Sequence, residues 1–229
     1  MGNRLRKLTF GDDAIGDILV VGLGRFGSAL ARTLDEMGHR VLGVDADPNL
    51  VQRHADVLTH VVQGDATDEE VLRQLGAGEM AIAAVCIGSD IESSVLATTA
   101  LVDIGVPNVW AKAITAPHGK ILNRVGAHHV VFPEADMGRR GAHLLAGRIL
   151  EYVALDTDFV LVEIQVPNSF VGINLGDSGL RSRHHITVVC VKPAGEQFTY
   201  ATSETVLGAN DLIVIAGHRS HVDAFVRDA

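Results

Sequence analysis

A doubly wound parallel α/β sheet followed by a small α+β lobe is the architecture this sequence predicts. Three observations predict it. Across residues 17–132, short and uniformly apolar runs alternate with amphipathic stretches, the pattern of parallel strands covered by helices on both faces. The first apolar run ends in a cluster of glycines that opens a helix. After Glu151 the period changes, and strand-like runs follow one another with no full-length helix between most of them.

Each element has its own reason. Residues 1–16 carry no periodicity and read as a flexible lead. ILVVG is a buried strand, and SALARTLDEMG a helix with Leu30, Leu34 and Met37 on one face and Gly38 as its stop. RVLGVD is a second strand, and PNLVQRHAD a short helix that Pro48 starts. HVVQGD is a third strand. DEEVLRQLG is a helix with acidic residues in its first turn, where the macrodipole favours them. AIAAVCIG, VWAKA and HHVVF are strands four to six, separated by the helices DIESSVLATTALVDIG and PHGKILNRVG. Six strands in 17–133 make one domain. A linking helix is predicted over 134–150, its apolar stripe formed by Leu144, Leu145, Ile149 and Leu150. Such a stripe calls for a partner lobe or subunit. In 151–229 DFVLVEIQV, HHITVVCVK, QFTYA and DLIVIAG are strands, with short helices at 177–183 and 218–227. A lobe that small buries a limited core and gains from dimerising.

Composition narrows the function. The 229 residues carry a net charge of −9, which argues against nucleic acid as a partner, since duplex binders show a basic excess or stripe. The three early basic residues are not followed by an apolar stretch, so no secretory signal is expected, and no apolar run approaches the ~20 residues that span a bilayer. Cys86 and Cys190 sit in apolar runs without CxxC spacing and read as buried hydrophobes in a reducing cytoplasm.

The chemistry concentrates in Gly22-Leu-Gly24-Arg25-Phe26-Gly27. GxGxxG placed after a strand and at the start of a helix is the Rossmann phosphate loop. The first glycine makes the tight turn, the second lets a phosphate approach, and the third lets helix and strand pack closely. The helix N-terminus offers N–H groups to the anion. Asp45 ends the second strand 18 residues beyond Gly27, where a carboxylate accepts hydrogen bonds from a ribose 2′-OH and repels a 2′-phosphate. Asp65, Ala66 and Thr67 end the third strand on the same edge and are placed to line the adenine side. Asp65 and Thr67 also suit the cap of the helix near Asp68. Arg25 adds a full charge and a bidentate fork, which suits the terminal phosphates of ATP or ADP over NAD(H); the competing reading is a surface arginine paired with Asp47. Lys112, ending the fifth strand, is a further candidate. His128-His129, His184-His185 and the seven other histidines read as structural or surface residues, because strand neighbours point to opposite faces and no HExxH or GxSxG elbow is present. An NAD-dependent dehydrogenase would need a second domain with an acid/base group facing the nicotinamide. Only 79 residues follow residue 150, mostly strands, so no enzyme is expected; a small oxidoreductase or NAD(H) sensor is the rival reading.

GLGRFGSALARTL, VLGVDADP, GDAT, NVWAKA, GAHHVVFPEADMGRR and GANDLIVIAGH, in that order over 17–227, resemble the Ktr/Trk-type cytosolic subunits of bacterial potassium uptake systems. Those subunits carry an RCK domain made of a TrkA-N and a TrkA-C lobe. The resemblance implies a non-catalytic subunit that forms dimers and an octameric ring under a membrane-embedded K⁺-translocating partner. It would be cytoplasmic and peripheral at the inner face of the membrane. It implies ATP or ADP in the Rossmann lobe, with Gly22, Gly24, Arg25, Phe26 and Gly27 at the phosphates, Asp45 at the ribose, and Asp65, Ala66 and Thr67 at the adenosine. It further implies Glu134 at a position tied to nucleotide-coupled Mg²⁺ or Ca²⁺. One carboxylate is too few for such a site, so phosphate oxygens and a second subunit would complete it; Glu134 also suits a plain helix-dipole role. Part of the family binds cyclic di-AMP between TrkA-C lobes, and Leu180–Lys192 carries no signature for or against it.

Overall fold

A computed structural model describes residues 16–145 and 148–228; the predicted lead, apart from Gly16, lies outside the described residues. The chain divides after Pro133 into two compact units.

The first unit alternates β1 (Ile18–Val21), α1 (Arg25–Glu36), β2 (Val41–Asp45), α2 (Pro48–His54), β3 (His60–Gln63), α3 (Glu69–Gln74), β4 (Ile82–Val85), α4 (Ile91–Ile104), β5 (Val109–Lys112), α5 (Ala116–Arg124) and β6 (His129–Val131). The strands lie in the order β3-β2-β1-β4-β5-β6, all parallel. The doubly wound sheet is therefore as expected. Side chains alternate across a strand, and β1 shows the result. Leu19 and Val21 enter one core with Leu72, Leu101 and Leu122. Ile18 and Val20 enter the other with Leu23, Ala31 and Leu58. Both faces are dry, which is why these strands read as continuous apolar runs. The order of strands reverses between β1 and β4, and the carboxyl ends of strands at such a switch point form the binding crevice of open α/β sheets.

The second unit holds α6 (Pro133–Leu145), β7 (Glu151–Ala154), β8 (Phe159–Gln165), α7 (Leu180–Arg183), β9 (Ile186–Lys192), β10 (Thr199–Tyr200), β11 (Leu212–His218) and α8 (Arg219–Asp228). Its strands form an antiparallel sheet, β10-β9-β11-β8-β7. One face carries Val160, Val162, Ile164, Ile213 and Ile215, covered by Val222, Phe225 and Val226 of α8.

Two expectations for this unit are corrected. The linking helix ends at Leu145 among the described residues, and Arg148–Leu150 are not helical. The predicted stripe is therefore dispersed. Leu145 is 89% exposed, Ile149 is buried in the core and Leu150 is exposed, with its N–H bonded to Glu163 O at 2.8 Å. Tertiary burial and the onset of β7 overrode the helical spacing. β7 itself was not foreseen, because EYVA is too short to show a period. No helix among the described residues is long and apolar enough to cross a membrane.

Candidate functional site

The carboxyl ends of β1 to β4 enclose a cleft of about 380 Å³, lined among others by Gly22, Gly24, Asp45, Asp47, Leu50, Asp65, Ala66, Thr67, Cys86, Gly88, Asp90 and Ser93. The three loop glycines answer three separate demands. Gly22 has φ +88°, a left-handed conformation that favours glycine. A Cβ on Gly27 would lie 1.8 Å from the Gly22 carbonyl oxygen and 2.9 Å from Cys86 Cβ. Around Gly24 a Cβ would meet nothing within 4 Å: the space over this residue is open. Gly24 is also the N-cap of α1, and no side chain caps the helix there. The first-turn N–H groups of Arg25, Phe26 and Gly27 lack intrahelical acceptors and point toward an anion placed beyond the helix end.

Asp45 braces the loop. Its Oδ2 accepts the Leu23 N–H at 2.6 Å and its Oδ1 the Asp47 N–H at 2.8 Å. The carboxylate thus ties the end of β2 to the phosphate loop and faces the cleft with its remaining lone pairs. Asp65 closes a turn by accepting both the Thr67 N–H at 2.9 Å and the Thr67 hydroxyl at 2.7 Å. The hydroxyl, then the amide, holds its carboxyl below the usual aspartate value. Helix α3 is capped by Asp68, which accepts from Glu70 N, so neither Asp65 nor Thr67 is its cap.

The remaining candidates separate. The Arg25 side chain is exposed and, among the described residues, pairs with no carboxylate. Asp47 instead caps α2 through Asn49 N at 2.8 Å, so the surface-pair reading of Arg25 is corrected. Phe26 turns its ring into the β1 core and contributes only backbone to the loop. Lys112 is buried behind the cleft wall. Its Nζ stands 5.6 Å from the Phe26 ring centroid and 3.0 Å from where a Gly88 Cβ would be, and it does not line the cleft. Glu134 lies exposed in the first turn of α6, in the second unit. Among the described residues no three His, Cys, Asp or Glu side chains are grouped to hold a metal.

Sequence reasoning missed the β4 side of the cleft. Asp90 caps α4, accepting Glu92 N, Ser93 N and Ser93 Oγ at 2.9, 3.3 and 2.7 Å, and these bonds, the Ser93 hydroxyl first, lower its pKa. The rule that places ligands at a switch point would have found this junction had the β1–β4 adjacency been known. The cleft thus presents Asp45, Asp47 and Asp65 at the ends of β2 and β3 and Asp90 at the β4 side, with the open helix end and Arg25 at the end of β1 between them. A ligand suited to both has hydroxyls at one end and phosphates at the other. Cys86 and Cys190 are both free, and burial pushes the Cys86 thiol up to about 12, which leaves it unreactive.

Comparison with known proteins agrees with this division. The TrkA-N domain model matches residues 18–133 and the TrkA-C domain model residues 159–228. Ktr system potassium uptake protein C of Bacillus subtilis (strain 168) is 34% identical over 210 residues, covering 91% of this chain and 95% of that protein. Ktr system potassium uptake protein A of the same organism is 33% identical, covering 90% and 93%. Among solved structures, the GsuK RCK domain superposes with a TM-score of 0.65 at 22% identity, over 95% of this chain and 48% of that one. The GsuK channel bound to NAD gives 0.64 at 24% identity, over 96% and 41%. The chain spans less than half the length of these two structures, and they show a shared RCK fold. A TrkA-N and a TrkA-C domain in this order, with a third of the residues shared over nearly the whole length, mean that the chain belongs to the Ktr family of potassium uptake proteins.

Proposed function

We propose that the chain is a regulatory, non-catalytic subunit of a potassium uptake system, and that an adenine nucleotide, ATP or ADP, occupies the cleft at the end of β1. One observation carries the nucleotide: the open space over Gly24 at an uncapped helix N-terminus, facing the Asp45 carboxylate. The phosphates take the first-turn amides and Arg25. The ribose takes Asp45, and the adenosine lies along Asp65, Ala66 and Thr67. Lys112, behind Gly88, adds positive potential rather than a direct contact. The role in potassium uptake rests on the Ktr relatives. The partner is a membrane-embedded K⁺-translocating subunit, beneath which the chain assembles as dimers in an octameric ring. It is thus cytoplasmic and peripheral to the membrane. Glu134 of the α6 first turn supplies one carboxylate toward a Mg²⁺ or Ca²⁺ ion at an interface between two chains. Cyclic di-AMP is the candidate ligand of the second unit, held between two such lobes of a dimer.

NAD(H) is the second reading, favoured by the NAD named with the GsuK channel. Isothermal titration of the full chain with ATP, ADP, NAD and NADP separates the two. The expected order places ATP and ADP tightest and NADP weakest, because its 2′-phosphate meets Asp45. NAD binding tighter than both would transfer the site to the dinucleotide.

A further inference from the structure

Three histidines left without a role by the nucleotide cleft gather at one corner of the second unit. The β9–β11 ladder pairs Ile186 with Gly217 and ends there, so His185 and His218 leave the sheet side by side from adjacent strands. His221 follows His218, the last residue of β11, by three residues and lies in the first turn of α8. The His185 and His221 ring centroids are 5.0 Å apart, and those of His218 and His221 6.1 Å. The corner borders a cleft of about 440 Å³ lined by Asp158, His218, Arg219, Ser220, His221 and Asp223.

We propose that His185, His218 and His221 bind a divalent first-row transition cation of the zinc class, a site separate from the nucleotide cleft. Neutral imidazole is a preferred donor for these cations. With metal–nitrogen bonds of about 2.0–2.1 Å, two imidazoles on one tetrahedral ion hold their centroids about 5 Å apart. The His185–His221 separation falls at that spacing, and the His218 ring must move closer to reach it. Nδ1 of His221 is shielded from solvent with no hydrogen-bond partner, a buried nitrogen that a metal would satisfy. His185 has φ +54°, and a non-glycine residue held in this sparsely populated region points to a local function. Asp158, Arg219 and Asp223 line the adjoining cleft. Among the described residues no three donors already stand around one point. Binding therefore turns the His185 and His218 rings, both of them exposed, about His221. The bound ion would clamp the start of β9, the end of β11 and the first turn of α8.

The test uses the full chain, free of any affinity tag, stripped with a chelator and without nucleotide. Zinc chloride is titrated calorimetrically, and cobalt(II) replaces zinc to report coordination through its visible absorption. The expected result is saturable uptake of one zinc per chain and a higher Tm. Mg²⁺ and Ca²⁺ should produce no such effect, since they prefer oxygen donors. His185→Gln and His218→Gln, both at exposed positions, should each weaken zinc binding at least tenfold and keep wild-type circular dichroism. His221→Gln should abolish it. Asp45→Ala should leave zinc binding unchanged, which keeps this result independent of the nucleotide proposal. No saturable zinc uptake, or wild-type affinity in the triple His→Gln variant, would overturn the site.

Discussion

Gly24 and Gly27 are separated by two residues and differ in what a methyl group would meet. At Gly24 it would enter open space, with backbone angles of φ −63° and ψ −170° that alanine adopts freely. At Gly27 it would strike the Gly22 carbonyl oxygen and Cys86. Gly24→Ala should therefore keep the Tm of the wild type while losing nucleotide affinity, because the new methyl stands where a phosphate would approach. Gly27→Ala should lower the Tm before any ligand is added. Thermal melts with and without ATP decide this, and a Gly24→Ala protein that still binds ATP at wild-type affinity would move the phosphates elsewhere. Arg25 makes a sharper distinction. ATP and ADP share adenine, ribose and two phosphates, and backbone amides are short and fixed, whereas Arg25 is long, charged and exposed at the helix start. A charge-assisted hydrogen bond contributes about 1.5–3 kcal/mol, a factor of about 10–150 in affinity. Arg25→Ala should hold ADP within a few fold and remove that margin for ATP. Arg25→Lys should recover part of it, since an ammonium lacks the bidentate fork. Equal losses for both nucleotides, measured by titration, would assign Arg25 to the first two phosphates.

At the scale of elements, the β4–α4 junction combines capping with the cleft wall. The Asp90 carboxylate takes three hydrogen bonds from Glu92 and Ser93, and its pKa is depressed in the folded chain. A depressed carboxylate pKa means stability that is fully present above the unfolded value of 3.8 and is lost as pH falls through the lower folded value. Asn caps helices nearly as well as Asp and does not titrate. Asp90→Asn should therefore melt below the wild type at neutral pH, with the gap closing as pH drops below about 4; a gap constant with pH would place the contribution in cap geometry rather than charge. Junctions of this kind also mark where sequence reasoning stopped. The β1–α1 loop was legible because strand, glycines, helix and Asp45 all lie within one βαβ stretch. The Asp90 and Ser93 wall was not, because β4 reaches the cleft only by pairing with β1, a fact of strand order rather than of local pattern. In the second unit, periodicity placed β8 and β11, half-buried strands with period two. It extended α6 too far because Ile149 and Leu150 fit a helical stripe as well as they fit a core and the edge of β7. His185, read as a structural or surface residue, is exposed, but its neighbours come from a cross-strand register and a following helix that no single window of sequence displays.

At the scale of the whole molecule, energetics decide whether one nucleotide per chain can operate a switch. A ligand shifts an equilibrium between two conformations only through its differential affinity for them. Moving the balance from 1:99 to 99:1 takes a difference of about 10⁴, or about 5.5 kcal/mol. The γ-phosphate contact proposed for Arg25 is a single charge-assisted bond of about 1.5–3 kcal/mol, which falls short by about 2.5–4 kcal/mol. Chains that change state together sum their contributions, so two to four coupled subunits suffice, and a closed ring has more than enough. Assembly is on this account what makes the γ-phosphate decisive, since a monomer would respond weakly and gradually. In vesicles that hold the membrane K⁺-translocating partner with this subunit bound, the ATP:ADP ratio is varied at constant total nucleotide and K⁺ flux recorded. The expected response is steep, with a Hill coefficient above 1. Arg25→Ala should flatten it without releasing the subunit from the membrane, as sedimentation of the vesicles would show. Light scattering of the purified chain should show an oligomer under the same conditions. A hyperbolic response from an intact assembly would mean that each chain acts alone, and the coupling between subunits would then have no part in the switch.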